Sequence, residues 1–429
     1  MSTVAKSAEA RRVVPPTSPS DASAARYVGR FRCVGGSCEE HCCQGWRVTL
    51  DRDTYLKYQS IPESDLRERL RDRLTKVRDG ERTASQYATL EQGDSGVCPM
   101  LDASSGLCDV QRRKGEDWLS PTCNQYPRLT ARMGSQRTTF LTPSCPEATR
   151  LMLLERDALD IVDGAGRHRI VPPLPDAAAP GPRGDVVAQL AQAIHDTACE
   201  IVRDPRLRAD QALAVLGVVA RKPRAMRASS PPAEHRAGLL RLLHTLRDPN
   251  GVSEALRHVE ALQVSRAFQC AVLTRIHDGY LKHLKRRPRL DAVMHDCEAG
   301  LRLGEDPEGL PARYDAADRD WFRPFDDRHP HLLKHYVLND LGRKAFPSTG
   351  SGGLEHEYLG LAVRLALIRM YLVGIAAHRR EAFGVDDYLR VIQTFGRNFE
   401  HNATFMPSIL DAMKGAGLDT TACAMLLLR

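Results

Sequence analysis

The stretch Phe31-Arg32-Cys33-Val34-Gly35-Gly36-Ser37-Cys38-Glu39-Glu40-His41-Cys42-Cys43-Gln44-Gly45-Trp46 decides how the rest of this chain is read. It holds Cys33, Cys38, Cys42 and Cys43; Cys98, Cys108, Cys123 and Cys145 follow singly, so eight of the chain's 12 cysteines precede residue 150. Thiols this dense are either a disulfide framework or ligands of a metal or cluster, and the redox compartment decides between them. Residues 1–26 are rich in Ala, Ser and Pro and lack the apolar run of a secretory signal. The most apolar later segment, Leu359–Ala377, carries Arg364 and Arg369, which a bilayer would have to accept on different helix faces. The chain is therefore expected to be cytoplasmic, with no membrane partner, and its clustered thiols to bind metal.

If Ser37–Cys43 is helical, Cys38 and Cys42 at i and i+4 share a face, while Cys43 points about 100° away. The spacing leaves zinc and an iron–sulfur cluster both open. It departs from the Cys-x3-Cys-x2-Cys pattern of radical S-adenosylmethionine enzymes, because Gly45 stands where the third cysteine would be. His41 is expected in a supporting role beside Cys42.

Outward from this stretch, 429 residues at 42% hydrophobic and 27% charged allow two or three domains and a substantial core. The net charge of +7 is modest, and no nucleic-acid partner is expected. The basic runs Arg221–Arg227 and Lys282–Arg289 read as solvated helix ends beside Pro223 and Pro288, with too few aromatics for a stacking platform. The fold class is mainly α. Residues 1–26 form a disordered tail, and 27–171 an irregular cysteine-rich metal or cluster module of small β content (Trp46–Leu50, Arg137–Leu141) with a charged helix at Ser64–Arg78. Residues 172–184 are a linker, and 185–429 a mostly helical domain with amphipathic stretches at Asp185–Val202, Leu239–Leu246, Ala255–Leu284, Tyr358–Ala377 and Val385–Phe399. Cys199, Cys270, Cys297 and Cys423 lie in that domain and are expected to be core thiols. Asp163–Gly166 reads as a hairpin turn and Gly350–Gly353 as a connector.

The words around the later cysteines add a resemblance. Cys98-Pro99-Met100-Leu101, Gly106-Leu107-Cys108, Gly115-Glu116, Leu119-Ser120-Pro121-Thr122-Cys123-Asn124-Gln125-Tyr126-Pro127-Arg128 and Ser144-Cys145-Pro146-Glu147 follow the opening stretch. Tyr336-Val337-Leu338-Asn339, Phe346-Pro347 and Arg397-Asn398-Phe399-Glu400-His401 come near the end. In this order they resemble the bacterial flagellin lysine-N-methylase family, and the cysteine words alone also resemble small zinc- or iron-chelating cysteine-cluster proteins. The family resemblance implies methyl transfer from S-adenosylmethionine to lysines of flagellin before its export. It also implies a 4Fe-4S iron–sulfur cluster, with zinc as the alternative, among the eight cysteines named above. A lysine amine, with an ordinary pKa near 10.4, must lose its proton to attack; Glu116 and Tyr126, and also Glu147, are the chemically able groups. Arg128 and Arg397 are the candidate clamps for the donor's carboxylate, in a cleft expected between module and helical domain. The alternative function is a chelating or electron-transfer module joined to a helical interaction domain.

Overall fold

A computed structural model of the chain describes residues 22–45, 47–92, 96–133, 136–163, 182–227, 232–284, 287–348, 353–400, 402 and 404–429. The tail at 1–21 and the linker at 172–181 lie outside the described residues, as do most of the Asp163–Gly166 turn and the Gly350–Gly353 connector. The chain is mainly α, with seven short strands among the described residues: β1 (Ala22–Ala25), β2 (Val48–Leu50), β3 (Leu74–Lys76), β4 (Ala88–Leu90), β5 (Arg128–Met133), β6 (Gln136–Leu141) and β7 (Ile161–Asp163). They form two sheets, a three-stranded antiparallel β2-β4-β3 and a four-stranded β5-β6-β1-β7 in which β1 runs parallel to β6 and antiparallel to β7.

Two hydrophobic cores follow from this arrangement, and they divide the cysteine-rich region. The smaller surrounds the three-stranded sheet, with Leu50, Tyr58, Ile61, Leu66, Leu70, Met100 and Val110 inside it. The larger takes in Tyr27, Val28, Phe140, Leu141 and Met152 together with the helices out to Leu428. The four-stranded sheet thus belongs to the helical body. Tyr27 is the pin: its hydroxyl accepts from the Leu141 amide at 2.7 Å and meets Asn339 Oδ1 at 2.7 Å, and Asn339 Nδ2 donates to the Leu141 carbonyl at 3.2 Å. The end of the expected tail is structured as well, since Ala22–Ala25 is a strand and Arg26 opens a helix; small side chains let β1 lie between two neighbours.

The helix Gly353–Arg379 is apolar on every side and buried from Tyr358 to Ala376, as a helix at the centre of a large core must be. Its length and apolarity match those of a membrane span, yet its whole apolar window lies inside the protein. Arg364 pairs with Asp340, and Arg369 lies 3.3 Å from Asp210 and 3.1 Å from Asp318, so both buried cations are neutralised within the core. The helix Pro288–Leu301 crosses it at two glycines; a Cβ on Gly300 would sit 1.8 Å from the Gly374 carbonyl oxygen.

Several local expectations are corrected. Gly35–Ser37 is a 3-10 turn and Cys38–Cys43 is not helical, because Gly35 takes φ +56° and Cys38 is extended. The charged helix stops at Arg71, and Leu74–Lys76 turns to pair with β4. The helix Ala209–Arg227 runs on through Pro223. Ala255–Leu284 is divided among Pro249–Glu260, Arg266–Ile276 and a π-helical His277–Leu281.

Candidate metal and cofactor site

The cysteine loop is placed by close backbone approaches. A Cβ on Gly36 would lie 2.5 Å from the Ser105 carbonyl oxygen, and one on Gly106, at φ +65°, would lie 2.9 Å from His41 Cε1. The words Val34-Gly35-Gly36 and Gly106-Leu107-Cys108 therefore face each other, and His41 packs against that turn. Asp102 holds the turn by accepting from the Ser104 hydroxyl and from the Ser105 and Ser104 amides, which lowers its pKa to about 2. The Cys98 amide donates to the Cys43 carbonyl at 2.8 Å, and an isolated bridge joins Leu101 to Cys108. Ser120 caps the helix Pro121–Gln125 by accepting from the Cys123 amide at 3.2 Å, and Cys145 immediately precedes Pro146–Leu154.

These constraints bring Cys42, Cys43, Cys98, Cys108 and Cys123 within electrostatic reach of one another, while Cys38 and Cys145 approach Cys42 from the other side and the exposed Cys33 approaches Cys38. A hydrogen bond from the Cys43 thiol lowers the Cys42 pKa to about 7 against the cost of burial, with Arg397 assisting, and Cys43 is pushed far up in return. Burial raises Cys98 to about 11 and both Cys123 and Cys145 to about 12. Among the described residues, no three His, Cys, Asp or Glu side chains close into a metal-holding group. The chemistry of the donor set still fits a thiophilic metal or iron–sulfur cluster: buried, soft and mutually repelling once deprotonated.

A cavity of about 520 Å³ opens beside the thiols and is lined by Cys33, Cys38, Cys42, Cys123 and Cys145 together with Glu116, Tyr126, Arg128 and Glu147. Four of the five residues picked as catalytic or donor-binding candidates thus line one cavity. Glu116 is exposed, on the 3-10 turn Glu116–Trp118. The Tyr126 hydroxyl lies 3.1 Å from Ser144 Oγ, and burial pushes its pKa far above the ordinary 10, which suits a hydrogen-bonding group and not a base at neutral pH. Arg128 stacks over Phe31 at 5.3 Å, and its buried Nε has no hydrogen-bond partner. Glu147 is held by Arg150.

Arg397 lies elsewhere. It projects from the π-helical Gly396–Glu400 into the cysteine loop, where Nη2 donates to the His41 and Gln44 carbonyls at 2.8 and 2.9 Å and Nε lies 3.2 Å from Glu40. A guanidinium so committed straps the loop to the helical body and has little left to offer a donor's carboxylate. Sequence reasoning missed Glu40, which takes Arg397 on one side, Arg287 at 3.6 Å on another, and Gln393 at 2.8 Å. It also placed Arg287 and Arg289 in solvent. Both are half-buried against the loop, and a Cβ on Gly45, at φ +75°, would fall 1.7 Å from Arg287 Nη2. The signal was present in the paired Glu39-Glu40 inside the opening stretch, two acids facing a basic run some 250 residues away.

Comparison with known proteins accords with this arrangement. Residues 195–427, more than half of the chain, match the FliB lysine N-methylase C-terminal domain. The chain is 33% identical to a lysine-N-methylase of Salmonella typhimurium over 134 residues, 31% of this chain and 32% of that protein. A lysine-N-methylase of Salmonella choleraesuis matches at 32% over 134 residues, again 32% of its length. The flagellar biosynthetic protein FliU of Salmonella muenchen is 31% identical over 148 residues, 34% of this chain and 85% of that protein. The chain thus spans about a third of the length of the two lysine-N-methylases. No solved structure matches.

Proposed function

This chain belongs to the FliB lysine N-methylase family, and from that premise we propose that it transfers methyl groups from S-adenosylmethionine to lysine side chains of flagellin, in the cytoplasm and before export. The observation that carries the proposal is the single cavity into which five cysteines, Glu116, Tyr126 and Arg128 open. S-adenosylmethionine would supply an activated methyl group on a sulfonium, together with a carboxylate for recognition. Arg128 suits that carboxylate: its guanidinium lies over the Phe31 ring and carries a buried N–H with nothing to donate to. The Tyr126 hydroxyl stays protonated and orients, while Glu116 is the carboxylate placed to accept the proton that the attacking ammonium gives up. Partial desolvation in the cavity assists by disfavouring the charged amine.

Cys42, Cys43, Cys98, Cys108 and Cys123 are the residues we assign to a bound metal, an iron–sulfur cluster or zinc, with Cys38 and Cys145 flanking. A cation there would replace the protons of thiols that face mainly one another. The test is mass spectrometry of flagellin after incubation with purified protein and S-adenosylmethionine, comparing the unaltered chain with Arg128→Gln. Lysine mass increments that depend on the donor and weaken in the variant support the proposal; identical flagellin in every arm overturns it and favours a chelating or electron-transfer module.

A further inference from the structure

The four-stranded sheet has a second cavity on its other face. Successive residues of a strand point to opposite sides; Arg128, Thr130 and Thr139 face the cysteine cavity, whereas Ala131, Thr138 and Phe140 face a cavity of about 730 Å³ closed by the helices Pro182–Arg203 and His331–Arg343. No residue of the proposed methylation site lines it.

His195 and Cys199 stand on its wall one helical turn apart. The His195 Nδ1–H donates to the Phe346 carbonyl at 2.9 Å, and since a carbonyl only accepts, the lone pair of the neutral ring is on Nε2. That nitrogen lies 3.6 Å from Cys199 Sγ. A tetrahedral zinc ion with bonds of about 2.3 Å to sulfur and 2.0–2.1 Å to nitrogen spans roughly 3.5–3.6 Å between its two ligand atoms. Anchoring the far ring nitrogen on a backbone carbonyl is also how proteins orient metal-ligating histidines. Cys199, expected from the sequence in the core, is instead half-buried at a cavity large enough for water or an incoming ligand to complete a coordination shell. Asp163, Asp196 and Glu200 line the same cavity and outnumber Arg203, the cation that faces Cys199 and His195 there, so the surplus charge is the negative one a cation prefers.

We propose that Cys199 Sγ and His195 Nε2 form an open binding site for a borderline-soft divalent cation of the zinc type, separate from the N-terminal thiols and with its remaining coordination positions facing the second cavity. The site does not depend on the methylase reading. It is tested on the full-length protein loaded with ¹¹³Cd²⁺ and examined by ¹¹³Cd NMR, where a mixed sulfur–nitrogen site resonates well upfield of all-thiolate sites. The unaltered chain is expected to show such a resonance; Cys199→Ser and His195→Gln each lose it and bind one equivalent less zinc by elemental analysis, with all-thiolate signals unchanged. Either variant suffices if the other misfolds, each being checked by its metal-free melting curve. Absence of the upfield resonance from the unaltered chain, or its survival in a folded variant, overturns the site and leaves a thiol–imidazole hydrogen bond.

Discussion

The two cores solve the problem of buried charge in opposite ways. In the helical body, buried arginines find their counter-charges in the same chain: Arg364 on Asp340, Arg369 on Asp210 and Asp318, Arg343 between Asp340 and Glu400. In the smaller core Asp109 is likewise paired, with Arg69 and Arg112, but the clustered thiols face mainly one another, and burial holds most of them protonated. A set of ionic pairs is complete when the chain folds. A set of thiols is complete only when a cation from outside replaces their protons, and its binding energy then becomes folding energy of that region alone.

This contrast can be broken most directly at the cysteines. Replacing Cys42, Cys43, Cys98, Cys108 or Cys123 by Ser is expected to lower bound metal and abolish the cooperative unfolding of the small core while leaving the helical transition in place; calorimetry with elemental analysis reads both. Unchanged metal in all five variants would show that the small core needs no external cation.

The mirror experiment removes a charge from the helical body. Asp340 is buried and neutralises Arg343, Lys344 and Arg364 together. Asp340→Ala should cost about 3–5 kcal/mol in denaturant unfolding, the usual effect of stranding a buried partner, with metal content untouched.

The strap between the cores should be intermediate. Arg397→Ala leaves two loop carbonyls without their donor and Glu40 without one of its two cations, and is expected to weaken docking of the cysteine loop by about 2–3 kcal/mol. Hydrogen exchange at residues 38–45 should rise with little change in the helices. Arg397→Lys should recover part of this, since one ammonium cannot reproduce the planar fork that serves both carbonyls.

A pH experiment sharpens the comparison within the helical body. Burial raises the Asp326 pKa to about 6, above the ordinary 3.8, so the folded state holds a proton that the unfolded state has released. Its contribution therefore favours folding below about pH 4 and is lost as pH rises through 6. Relative to Asp326→Asn, the unaltered chain should lose roughly 2 kcal/mol of stability between pH 4 and 6.5. Parallel stability curves for the two proteins would refute the raised pKa.

The smallest effect on stability is expected at the cavity. Arg128→Gln should shift unfolding by less than about 0.5 kcal/mol, as for a partly exposed side chain without an ion pair. S-adenosylmethionine affinity, by calorimetry, should fall roughly tenfold, the loss of one charge-assisted contact. A large stability loss with unchanged donor affinity would make Arg128 a structural residue.

Much of this was legible in the sequence because it rests on local patterns. The apolar stretch Tyr358–Ala377 with two internal arginines specified a buried core helix. The cysteine region announced itself by thiol density, and the helical remainder by its 3.6-residue periodicity. Glycine freedom and long-range charge escaped the same reading. Gly35 and Gly45 turn the loop away from a helix, so Cys38 and Cys42 do not meet as i and i+4 neighbours, and the basic run at Arg287–Arg289 could be seen as a binding surface only once Glu40 lay opposite.

Residue type and spacing thus determined which groups could act: thiols for a metal, Glu116, Tyr126 and Arg128 for a transfer site, and a helical scaffold. Tertiary structure alone decided which of them meet. It gathered four of the five candidates around one cavity, sent Arg397 to strap the cysteine loop, drew the first strand into the helical body, and exposed Cys199 to a second cavity on the far side of the same sheet. The physical reason is that periodicity and capping act over a few residues along the chain, whereas the pairing of a guanidinium with a distant carboxylate, or the opening of a helix face onto a cavity, depends on which faces the cores bring together.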